Sequence, residues 1–87
     1  MKQPLNYAIL LYFKKHEEGD ADSIIEELCP DYGHYRAFSR PGVIEALMTA
    51  KENGILEEVR AMLKDKDRLR IWYRLTDYGA DLIDRFL

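Results

Sequence analysis

Ser39-Arg40-Pro41-Gly42-Val43-Ile44-Glu45-Ala46-Leu47-Met48-Thr49-Ala50-Lys51-Glu52-Asn53-Gly54-Ile55-Leu56 is the stretch whose reading decides the fold. Ser39 can cap a helix through its hydroxyl, and Pro41 suits the first turn, where its missing N–H costs nothing. Val43, Ile44, Leu47 and Ala50 form an apolar stripe at helical spacing. Asn53-Gly54 stops the helix, because glycine takes the left-handed conformation without a side-chain clash. Ile55 and Leu56 then open an extended segment. The spacing predicts a helix over 39–53 followed directly by a strand.

Downstream, Leu69, Ile71, Tyr73 and Leu75 alternate with Arg70, Trp72 and Arg74, the period of a strand with two different faces. The run 55–63 alternates more loosely, with Glu57, Val59, Ala61 and Leu63 on one side. Polar residues 64–68 between the two runs are short enough for a hairpin tip. Thr76 caps a last helix, with Asp77 favourable at its positive end. Tyr78, Leu82 and Phe86 form one stripe of that helix, and Gly79, Ile83 and Leu87 a second.

Upstream, Pro4 to about Glu18 reads as a first helix closed by Gly19. Leu5, Ala8, Ile9, Tyr12 and Phe13 make one apolar face, and Tyr7, Leu10 and Leu11 extend it to further sides. A second, short helix starts at Asp20 or Asp22, where Ser23-Ile24-Ile25-Glu26 fits a capping box, and ends at Cys29-Pro30. Cys29 is expected to fill the core as a small apolar residue. The loop 30–38 is expected to be pinned by Tyr32, Tyr35 and Phe38, with His34 and Arg36 outward.

The 87 residues, 47% hydrophobic and 33% charged, describe one globular domain over 1–87. The longest apolar run, 7–13, is far short of the roughly 20 residues that span a bilayer, so no membrane partner is expected. No signal peptide is legible after Met1-Lys2, and Cys29 is the only cysteine, which points to the cytoplasm. His16, Cys29 and His34 lack metal-ligand spacing, and no phosphate loop or nucleophile motif is present. Neither a cofactor, a metal nor an enzymatic activity is expected.

The order helix, helix, helix, strand, strand, helix is that of a winged helix-turn-helix: α+β, mainly α, with three helices, a two-stranded hairpin wing and a carboxy-terminal helix. The sequence also resembles the PadR-like transcriptional regulators. Their Ser-Pro-Gly element is matched loosely by Ser39-Arg40-Pro41-Gly42, with Arg40 inserted. Ala46-Leu47 and Gly54-Ile55-Leu56 stand at the family's spacing around the end of the recognition helix. Tyr73-Arg74-Leu75-Thr76-Asp77-Tyr78-Gly79 matches the family's return from the wing, an element shared with MarR-like and other winged proteins. The tyrosine usual after Ser-Pro-Gly is absent, and so is the long coiled coil of many such regulators.

The resemblance implies a small DNA-binding regulator that grips duplex DNA through helix 39–53 and wing 60–74. The charge pattern fits in part: seven acids and no base between 17 and 31, and six bases against two acids between 60 and 74, within a net charge of −3. Phosphate contacts are expected from Lys64, Lys66, Arg68 and Arg70 on the wing and from Arg36, Ser39 and Arg40 near the helix start. Steps of about 100° per residue from Leu47 put Gly42, Glu45, Thr49 and Glu52 outermost, so Glu45 and Thr49 are the candidate base readers. The first and last helices carry more apolar surface than a small core covers. A homodimer through Tyr7, Leu11, Leu82 and Phe86 is expected. The alternative is a protein-interaction module on the same fold that binds no DNA, using acidic 17–31, the aromatic loop and an outward Trp72.

Overall fold

A computed structural model describes residues 4–36, 38–65 and 68–86. Its elements are α1 (Leu5–Lys15), α2 (Ala21–Tyr32), α3 (Arg40–Glu52), β1 (Leu56–Asp65), β2 (Arg68–Leu75) and α4 (Asp77–Phe86). The order is the expected one.

The core forms where α1, α2, α3 and the base of the hairpin converge. Ile9, Phe13, Ile24, Val43, Leu47 and Leu56 are all buried there, with Tyr73 closing it from β2. The four apolar positions Ala8, Ile9, Tyr12 and Phe13 make the buried face of α1, as the spacing predicts. That helix stops at Lys15, earlier than the expected Glu18. Gly19 pairs with Tyr73 through two backbone hydrogen bonds of 3.0 and 2.8 Å, so the chain before it must be extended. His16 marks the change: its ring stacks 4.2 Å from Tyr12 and bonds Glu27 at 2.8 Å.

Helix α2 departs from expectation at its far end. It begins at the Asp20 cap, whose Oδ1 accepts from the Ser23 N–H at 3.2 Å and from its hydroxyl at 2.6 Å. It then runs through Pro30 to Tyr32, rather than ending at Cys29-Pro30. Proline costs an interior helix a hydrogen bond and a clash, but two residues from the end little ladder remains to be lost. Tyr32 is buried as a result, whereas Tyr35 is exposed and packs edge-on to it at 5.4 Å. Cys29 is exposed, not in the core. The buried stripe of α2 runs through Ala21, Ile24 and Tyr32, and Cys29 lies about 100° off the half-buried Leu28 on that stripe.

The ends of α3 are those that the sequence predicts. Ser39 Oγ accepts from the Gly42 N–H at 3.1 Å, and Gly54 adopts φ +79° after the Asn53 cap. Val43, Leu47 and Ala50 are buried, but Ile44 is exposed and belongs to the other side of the helix.

The hairpin pairs Leu56 with Leu75, Glu58 with Tyr73, Arg60 with Trp72 and Leu63 with Leu69. The register shifts between Glu58 and Arg60 and again between Leu63 and Asp65. An extra residue at Val59 reverses the side to which later residues of β1 point, which is why 55–63 alternates loosely. Glu57 therefore does not share a face with Ala61 and Leu63, contrary to the simple alternation. At the hairpin's exit the Thr76 hydroxyl lies 2.5 Å from the Gly54 carbonyl and accepts from the Gly79 N–H at 2.9 Å. One side chain thus joins the end of α3 to the start of α4. Gly79 sits so close on the Ile55 carbonyl that a Cβ there would overlap it.

Of the two stripes of α4, Gly79 and Ile83 face inward, while Tyr78 and Phe86 are exposed; Leu87 lies outside the described residues.

Candidate nucleic-acid interface

The long side of α3 away from the core carries Pro41, Ile44, Glu45, Met48, Thr49 and Glu52. Glu45, Thr49 and Glu52 are exposed as expected, while Gly42 is half-buried. Ile44, 37% exposed, and Met48, 51% exposed, are functional candidates that the sequence reading passed over. Their signal was present: each stands one position from an expected outer residue, at the i, i+4 spacing that keeps a stripe continuous. Lys51, at the far end, is paired with Glu58 at 3.3 Å.

The expected phosphate contacts fall into two groups. Arg36, in the turn after α2, and Arg68, at the start of β2, are exposed. Ser39 holds the start of α3 with its hydroxyl. The backbone of Lys64 lies in β1, and Lys66 lies outside the described residues. Arg40 and Arg70, however, are already engaged. Arg40 forms an ion pair with Asp22, and Arg70 Nε donates to Asp20 Oδ2 at 2.6 Å and stands 3.7 Å from Asp22 Oδ2. A phosphate contact by either would have to compete with these carboxylates. Their carboxylate partners stand 18 and 50 residues away in the chain, beyond the reach of any local pattern.

The Arg70 pairs belong to a seam along the middle of the hairpin. Asp20 is 1% exposed. Burial pushes its pKa up, but hydrogen bonds from Arg70 and from Ser23 outweigh that and hold it below the ordinary carboxylate value. Glu18 pairs with Arg60 across the same seam. The guanidinium groups of Arg60 and Arg70 lie 4.5 and 4.6 Å from the centre of the Trp72 ring, one pairing opposite it and the other two residues before it on the same strand face. Such contacts are each worth about 0.5–1 kcal/mol at exposed sites. Trp72 is half-buried between them, not a free outward ring. Part of the acid-rich segment, Glu18, Asp20 and Asp22, thus meets part of the base-rich segment, Arg60 and Arg70.

The residues expected at a dimer interface lie on α1 and α4. Tyr7 and Phe86 are exposed, Phe86 by 74%, and Leu11 and Leu82 are half-buried. Lys14 and Asp84 join the two helices at 3.2 Å. Among the described residues, no group of three or more His, Cys, Asp or Glu is set to hold a metal ion, and no helix is long and apolar enough to cross a membrane.

No family model matches the chain, and no curated protein matches it. A solved structure does: Bacillus subtilis PadR in complex with operator DNA, with a TM-score of 0.74 at 21% identity, over 94% of this chain. The fold is a winged helix. α3 stands in the place of the third helix of that fold and the β1–β2 hairpin in the place of its wing. The chain spans 45% of the length of the PadR structure that it matches.

Proposed function

We propose that this chain is a PadR-like winged-helix protein of the cytoplasm that binds duplex DNA as a transcriptional regulator. α3 enters the major groove, the wing lies along the adjacent backbone, and two copies associate through α1 and α4. The observation that carries this reading is the likeness, over 94% of the chain, to a protein solved on its operator. Exposed Arg36 and Arg68, with Lys64 and Lys66 by sequence, supply the phosphate contacts, while Ser39 orients the helix start. Arg70 ties the wing to α2 and Arg40 ties α3 to α2, and Glu45 and Thr49 face the bases. Tyr7, Tyr78 and Phe86 expose the apolar surface that a second copy would cover.

A second reading, a protein-binding module, is favoured by the acids: Glu18, Asp20 and Asp22 occupy three arginines, and Glu45 and Glu52 line the recognition helix. Titration of a labelled mixed-sequence duplex at two salt concentrations separates the two. Non-specific binding of about 10⁻⁴ to 10⁻⁶ M, steeply salt-dependent, is expected, and the Arg36→Ala, Arg68→Ala double variant should flatten the slope by about two units. Absence of binding at low salt would transfer the reading to a protein partner.

A further inference from the structure

The chemistry on the outer stripe of α3 narrows what it can read. Its six residues, Pro41, Ile44, Glu45, Met48, Thr49 and Glu52, include no Arg, Lys, Asn or Gln. Arg40, at the head of the stripe, has its guanidinium on Asp22. Guanine is read in the major groove by bidentate Arg or Lys, and adenine by bidentate Asn or Gln. Neither contact is available from these six. What they do offer is apolar contact with the C5 methyl group of a pyrimidine and, from the Glu45 carboxylate, acceptance from the cytosine N4 amino group. Ile44 and Met48 are 37% and 51% exposed, one helical turn apart. A turn advances about 5.4 Å, more than the spacing of stacked base pairs, so the two side chains reach different pairs.

Resting on the duplex-binding reading above, we propose that the recognition helix reads pyrimidine C5 methyl groups in the major groove through Ile44 and Met48, with thymine as its principal target. The same methyl is carried by 5-methylcytosine. The site this helix selects is then defined by where methyl groups line the groove, and less by hydrogen-bond donors and acceptors.

One mixed-sequence duplex, prepared in three forms, tests this. The first contains thymine, the second uracil in place of every thymine, and the third is the uracil form with 5-methylcytosine in place of every cytosine. Fluorescence anisotropy at low salt should show the thymine form bound more tightly than the uracil form, by about fourfold for each methyl buried. Ile44→Ala and Met48→Ala should each reduce that preference and leave the salt slope of binding close to that of the wild type. Recovered affinity in the third form extends the contact to 5-methylcytosine; none confines it to thymine. A thymine preference that persists in the double variant comes from the shape of the duplex and overturns the proposal. Equal affinity for all three forms overturns it too, while duplex binding stands. No binding to any form overturns both, and leaves the stripe as a face for a protein.

Discussion

The root and the tip of the wing belong to the same two strands and live under opposite rules. At the root, Leu56 and Tyr73 are buried, Gly19 adds a backbone bridge to β2, and Thr76 ties the exit to α3. Toward the tip, Leu63 and Leu69 face each other across the hairpin yet stay 71% and 54% exposed. The strand pattern is the same in both places, so the difference comes from what lies underneath. The root packs against the core formed by α1, α2 and α3, whereas Leu63 and Leu69 remain largely in solvent. Alternation in a sequence announces a strand, not a buried one.

This contrast predicts a graded series of effects. Tyr73→Ala, which empties the root, should cost about 3–5 kcal/mol, read as a lowered midpoint in urea unfolding. A loss below 1 kcal/mol would mean that the root does not carry the fold. Gly79→Ala comes next, at about 3 kcal/mol, because the new Cβ meets the Ile55 carbonyl, and a backbone group cannot move aside as a flexible side chain would. Unchanged thermal stability in that variant would show the close approach to be slack.

Where the middle of the wing meets α2, Asp20→Asn should cost about 1–2 kcal/mol through loss of its charge on Arg70. That figure is discounted because the arginine is partly in water, while Asn can still cap the helix. The pH dependence follows from the lowered pKa of Asp20. The folded state binds the proton less readily than the unfolded one, so the stabilisation is present above about pH 4 and fades as pH falls below it. Wild type should therefore lose melting temperature in that acid range more steeply than Asp20→Asn does. Parallel curves would assign the acid loss to other carboxylates. At the tip, Leu63→Ser should change stability by less than about 0.5 kcal/mol. A larger cost would erase the distinction between root and tip.

Most of the scaffold was legible in the residues. Ser39, Pro41 and Gly54 set the limits of α3, and Thr76 announced α4, because caps and stops act within a few residues of themselves. The interface was less legible. The carboxylate partners of Arg40 and Arg70 are not legible, since nothing near these arginines in the chain reveals an acid that only folding brings close. Ile44 was assigned inward because a wheel centred on Leu47 leaves a residue so near the boundary to be decided by its neighbours. Pro30 and Cys29 were misplaced for a similar reason: a proline near the end of a helix breaks little, and a cysteine's own polarity does not say which way it faces. Local chemistry fixed the elements, and contacts distant in sequence decided which charges remain for a partner.

Trp72 is the only tryptophan in the chain, and it stands between two guanidinium groups in the middle of the wing. The protein therefore carries its own optical probe where arginines of the hairpin meet carboxylates of the body. All indole emission originates there, so a change in its colour or intensity reports the separation of Arg60 and Arg70 from the ring. Circular dichroism, in contrast, follows the helices. Recorded together through a titration with acid or salt, the two signals tell a wing that lifts from one that melts with everything else, with no label added.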